Sequence, residues 1–125
     1  MSNALYPKFK QSLLNGEINL ATYNIVAYAV DTTSNYTYSD SHETISDLPT
    51  TIAVTPNLAS KTIVNGVFNS ADPVLPSVTG VEFEAIVLYD STSDNLVAYY
   101  DSQTALTPSG NNVTINVNAS GWFSL

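Results

Sequence analysis

Apolar and polar positions follow two different periods along this chain, and the change between them comes early. In residues 5–16, Leu5, Phe9 and Leu13 recur every fourth position, which places them on one stripe of a helix. Pro7 suits the first helical turn, where a missing N–H costs nothing. Asn15 and Gly16 suit a left-handed stop. Lys8 and Lys10 sit early in this helix, where the macrodipole does not explain them, so they are expected to flank a docking face.

After Gly16 the pattern becomes that of strands. Residues 23–30 are apolar on both faces, as in a central strand covered on each side. Residues 31–41, rich in Ser, Thr, Asn and Tyr, read as a long loop. Residues 41–49 predict one helical turn stopped by Pro49. Residues 50–55 and 61–68 predict two strands, the second interrupted at Asn65 and Gly66 by a tight turn or a bulge. Pro73 and Pro76 bias the next stretch to an extended edge. Residues 81–89 and 96–100 form a strand pair around a tip at 90–95, and 108–111 read as a further turn. Residues 113–118 alternate cleanly, and Trp122, Phe123 and Leu125 make an apolar end expected to pair or pack.

No second amphipathic helix is long enough for a parallel crossover, so the sheet should be mostly antiparallel. The predicted fold is mainly β: an antiparallel β-sandwich with Greek-key or jelly-roll-like connections and one short N-terminal helix. The chain of 125 residues predicts a single domain over 1–125, with 1–16 as its helical segment.

Composition narrows the partners. Charged residues are only 11% of the chain, and Ser, Thr and Asn supply 42 of its 125 residues, giving an uncharged polar surface. Three lysines, no arginine and eleven acids leave a net charge of −8. Such a balance speaks against nucleic acid and against anionic membrane as partners, because both need clustered basic residues. A partner reached electrostatically should carry a basic patch. With no cysteine there are no disulfides and no thiolate metal site.

Candidate chemistry is sparse. His42, the single histidine, is followed by Glu43 and reads as a loop or capping residue. The oxygens of residues 90–95 suit a hairpin turn better than a calcium loop, since the distal glutamate and glycine of an EF-hand are missing. Glu82 and Glu84 lie about 7 Å apart on one strand face, whereas glycosidase carboxylates must flank a bond within a cleft. These readings imply no enzyme, no cofactor and no metal. Eight tyrosines are many for this length. Tyr36 and Tyr38, in the polar loop, are expected to serve an interface.

Several blocks resemble, in order, a family of small bacteriophage virion structural proteins. They are Leu5-Tyr6-Pro7-Lys8-Phe9-Lys10, Leu13-Leu14-Asn15-Gly16-Glu17-Ile18-Asn19-Leu20, Ser46-Asp47-Leu48-Pro49 and Lys61-Thr62-Ile63-Val64-Asn65-Gly66-Val67-Phe68. Further on come Ala71-Asp72, Glu84-Ala85-Ile86-Val87-Leu88-Tyr89, Leu96-Val97-Ala98-Tyr99-Tyr100-Asp101 and Leu106-Thr107-Pro108-Ser109-Gly110. Members compared with this chain end in a longer, more charged segment than residues 119–125.

The resemblance implies a virion structural protein, and the reading favoured within it is a capsid decoration, or cement, protein on the outer surface of the major capsid protein lattice. Its location would be the virion, after synthesis in the host bacterial cytoplasm, and its partners the major capsid protein and further copies of itself. Some members belong to the tail, so a tail or tail-tip subunit is the alternative. A carbohydrate-binding module is a further one, and it would need Tyr36, Tyr38 and Trp122 to line one shallow groove. The docking surface is expected at Lys8, Lys10, Tyr36 and Tyr38.

Overall fold

Pro7 decides how the chain begins. The residue before a proline is pushed out of helical geometry, and Tyr6 is extended at φ −68° and ψ 132°. In the computed structural model, which describes residues 4–33, 36–48, 53–80, 82–101, 106–117 and 120–124, the helix α1 therefore starts at Pro7 and runs Pro7–Leu14. Leu5, expected in the helix, lies instead in a short strand, β1 (Ala4–Leu5). The helix stops as its sequence predicts: Gly16 takes a φ of +74° and donates its N–H to the Leu13 carbonyl.

The rest is mainly β and antiparallel, in three sheets. The largest comprises β1, β2 (Ile25–Val30), β3 (Ala53–Val54), β7 (Ala85–Asp90) and β8 (Asn95–Tyr100) in the order β1-β8-β7-β2-β3. All six residues of β7 are buried, as are five of the six in β2, which accounts for their nearly unbroken apolar runs. Opposite Leu88 and Tyr89, β8 carries Val97 as an extra residue, so the ladder bulges there. Of the strand expected at 50–55, residues 50–52 lie outside the described residues, as do Pro49, Val81 and Leu125.

The second sheet orders β10 (Phe123–Ser124), β5 (Val67–Asn69) and β4 (Thr62–Val64). Asn65 and Gly66 both have positive φ, 52° and 79°. That pair of angles is the two-residue hairpin turn whose twist suits paired strands, so the interruption is a turn rather than a bulge. The third sheet pairs β6 (Val74–Leu75) with β9 (Val113–Thr114). Beyond β9 the ladder ends, yet alternation persists: Ile115 is buried, Val117 half-buried, and Thr114 and Asn116 exposed.

Aromatic contacts tie the layers together. Tyr100 of β8 meets Trp122 at a ring separation of 5.6 Å and donates its hydroxyl to the Trp122 carbonyl at 2.6 Å. Phe123 lies between Phe9 of α1 (5.8 Å) and Phe68 of β5 (5.4 Å). The helix thereby joins the small sheet to the large one, since the Tyr6 N–H also bonds the Val97 carbonyl.

Candidate docking surface

Exposed large apolar side chains mark contact surfaces only when they gather. Here they do. Leu14 at the end of α1 is 86% exposed, and Ile63 and Val64 of β4 are 49% and 61% exposed. Between these elements runs an apolar groove of about 330 Å³, lined by Leu13, Ile18, Leu20, Ile63, Phe68 and Phe123 among others. Leu14 is exposed because the helix stripe facing the core is narrow. Phe9 and Ser12 fill it, leaving Leu14 on the outer side. Ile63 and Val64 are exposed because β4 is the last strand of its sheet and pairs, among the described residues, only with β5.

Charge is spread unevenly along the chain. All three lysines belong to residues 4–16 and 58–71, which contain no acid, while the eleven acids lie elsewhere along the chain. Lys61 is not free for a partner, since its ammonium group donates to the Tyr23 carbonyl. Burial lowers its pKa and the charge of Asp90 opposes that shift. Lys10 is exposed, and at about 100° per residue it lies within about 60° of both Leu13 and Leu14 on the helix surface. Lys8 is half-buried and turned about 120–140° from them.

The four residues expected to dock thus separate. Lys10 lies on the helix face next to Leu13, which lines the groove, and Lys8 is turned away from it. Tyr36, expected at an interface, is 2% exposed, with its ring 6.0 Å from Tyr99. Its loop folds back and inserts the ring into the core. Tyr38 is half-buried between Tyr6 (5.0 Å) and Tyr99 (5.2 Å) and donates to Asp40 Oδ1 at 2.7 Å. Burial first, then the Asp40 hydrogen bond and charge, push its phenol pKa up. Tyr36 and Tyr38 line a depression of about 230 Å³ with Thr32 and Asp101, whereas Trp122 lines another with Leu5 and Tyr100. The common groove that a glycan would require is therefore not formed by these three rings.

The remaining candidates are held in local structure. Asp90, with no exposed surface, accepts the N–H groups of Thr92 (2.9 Å) and Ser93 (3.2 Å) at Oδ1 and the Ser93 hydroxyl (2.5 Å) at Oδ2. Asp94 Oδ1 accepts the Tyr89 hydroxyl at 2.6 Å and the Ile45 N–H at 3.1 Å. These oxygens build the turn. Glu82 is exposed, but Glu84 turns inward: its Oε1 accepts the Thr33 hydroxyl at 2.7 Å, and its Oε2 is buried without a hydrogen-bond partner among the described residues. The two glutamates are therefore not a matched pair on one wet face. His42 does not cap the following 3₁₀ turn (Ile45–Asp47); Thr44 and Asp47 do so reciprocally. Among the described residues no group of three His, Cys, Asp or Glu could hold a metal, and no helix is long and apolar enough to cross a membrane.

Compared with known proteins, the chain matches no family model, no curated protein sequence and no solved structure. The docking surface rests on the geometry alone. Sequence reading missed its β4 half because Ile63 and Val64 look like any core strand; the signal was their position beside an Asn-Gly turn, on a hairpin with a free outer edge.

Proposed function

We propose that this chain is a bacteriophage virion structural protein that decorates the outer surface of the head, seated on the major capsid protein lattice by the groove face. The observation that carries the reading is the apolar groove between α1 and the edge strand β4, lined by the exposed Ile63, with exposed Leu14 and Val64 next in the chain to its lining residues Leu13 and Ile63. Like charges keep free copies apart, while an apolar contact on the helix face that carries Lys10 lets each copy approach a lattice subunit. The resemblance of the sequence blocks to small virion proteins supports the same reading.

Removing residues 1–16 is not a clean test, because Tyr6 and Phe9 are fully buried and the deletion would take out part of the core. Ile63→Lys combined with Val64→Lys acts on exposed side chains. The double variant should fold as the parent does, by circular dichroism and thermal melt, and should be lost from purified heads by quantitative mass spectrometry against the coat protein. Parental occupancy of the heads would overturn the docking face. In the parent, copies confined to the tail fraction would move the protein to the tail.

A further inference from the structure

His42 ends a chain of hydrogen bonds that leads into the core. Its Nδ1 stands 2.9 Å from the Tyr36 hydroxyl, and that hydroxyl stands 2.5 Å from the Tyr6 hydroxyl. Tyr6 has no exposed surface and Tyr36 has 2%. Neither hydroxyl has another hydrogen-bond partner among the described residues.

Two contacts accommodate two protons. With the imidazole neutral and its proton on Nε2, Tyr6 donates to Tyr36 and Tyr36 donates to Nδ1, and both phenol protons are used. A proton on Nδ1 brings a third donor to the same two contacts. Either Tyr36 reverses and leaves the Tyr6 O–H without an acceptor, or Tyr36 accepts twice and its own proton is stranded. A buried donor without an acceptor loses the hydration it had in the unfolded chain and gains nothing in return.

We propose that the Tyr6–Tyr36–His42 chain is a pH-sensitive latch, which holds His42 neutral with its proton on Nε2 and loosens the 36–48 segment from the sheet when Nδ1 is protonated. Histidine is the side chain whose charge ordinarily changes between about pH 5 and 8, and that range sets the window of the test. The groups around it are Tyr36 beside the ring, Tyr6 from the β1–α1 junction, Tyr99 from β8 and Tyr38 from the same segment. Asp47 belongs to the same segment, and its carboxyl is held below the usual range first by the N–H groups of Glu43 and Thr44 and last by the charge of His42. Its carboxylate is already engaged by the N–H groups of Glu43 and Thr44 and lies where solvent screens it. Asp40 is occupied by the Tyr38 hydroxyl, and the Glu43 side chain is exposed. Burial keeps Tyr6 and Tyr36 as neutral phenols throughout this range.

Sign follows from proton count: the native state resists a proton that the unfolded chain accepts, so stability falls as pH falls. The test compares the parent with His42→Asn, whose Oδ1 replaces the acceptor at Nδ1 and does not titrate, and with Tyr36→Phe, which removes both contacts. Between about pH 8 and 5.5, the parent's folding constant should drop by on the order of tenfold relative to His42→Asn, read from denaturant melts, and the drop should be absent in Tyr36→Phe. Long-range proton–nitrogen NMR of the parent should show Nε2–H in the neutral form. Neutral His42 with its proton on Nδ1, or parallel pH profiles for the parent and His42→Asn, would overturn the latch. Should His42→Asn fail to fold, the NMR result alone decides.

Discussion

Gly121 lies against the backbone of Phe68 so closely that a Cβ on it would stand 2.7 Å from the Phe68 carbonyl oxygen and 2.7 Å from Val67 Cγ1. Its φ of +90° is one that side chains rarely adopt. That approach lets the Trp122 N–H reach the Phe68 carbonyl at 2.8 Å and sets β10 on β5, with Phe123 opposite Phe68. The docking groove owes its floor to this contact, since Phe68 and Phe123 both line it.

Gly121→Ala should therefore destabilise the protein by about 1–3 kcal/mol, the usual range for overpacking, with added strain from the positive φ. Urea melts would measure it. Because β10 must shift, the same variant should bind heads less well at temperatures where it remains folded. A variant as stable as the parent would show that this approach is not needed.

Asp90 supports the hairpin that joins β7 to β8. Asp90→Ala would leave two backbone N–H groups of the turn without their acceptor and Lys61 without a nearby negative charge. Loss of buried bonds to a charged group predicts about 2–4 kcal/mol. Asp90→Asn, which keeps one oxygen acceptor, should lose less. Equal melts for Asp90→Ala and the parent would contradict the structural role of this carboxylate.

Alkaline pH should unfold the protein through its tyrosines. Six of them, Tyr6, Tyr36, Tyr38, Tyr89, Tyr99 and Tyr100, have phenol pKa values raised above the ordinary value, chiefly by burial. For Tyr99 the value is pushed up to about 12, with the charge of Asp101 as the next cause. A raised folded-state pKa means the native state keeps protons that the unfolded chain releases. Their contribution is fully present below about pH 10, the unfolded value, and is lost as pH rises through the folded-state values. Tyrosinate absorbance and far-ultraviolet circular dichroism should change together above that point. Ionisation of these six near pH 10 with the dichroism intact would refute the burial argument.

Much of this architecture is legible one segment at a time. The stop at Gly16, the Asn65–Gly66 turn and the tip at 91–94 each follow from residues that favour left-handed or turn geometry wherever they occur. The extended Tyr6 was also readable, from Pro7, although the four-residue spacing of Leu5 and Phe9 argued for an earlier helix start. Tyr36 and Tyr38 were a different matter. A polar loop of Ser, Thr and Asn reads as exposed, and nothing local reveals that its tyrosines fold under to meet Tyr6 and Tyr99.

By itself, then, the sequence determined the strand-rich antiparallel class, the short helix, the turns and the strongly acidic balance, because these depend on periodicity, φ preferences and charge, all properties of neighbours along the chain. Only the tertiary structure decided which apolar residues stay in water. Ile63 and Phe68 belong to one hairpin and pair directly across it. Phe68 is buried because β10 and its aromatic contacts close over it, while Ile63 and Val64 stay exposed on β4, the edge strand that pairs only with β5 among the described residues. The same long-range packing brought Leu13 to the groove that Ile63 also lines and carried His42 to the end of a buried pair of tyrosines, and no local pattern encodes either meeting.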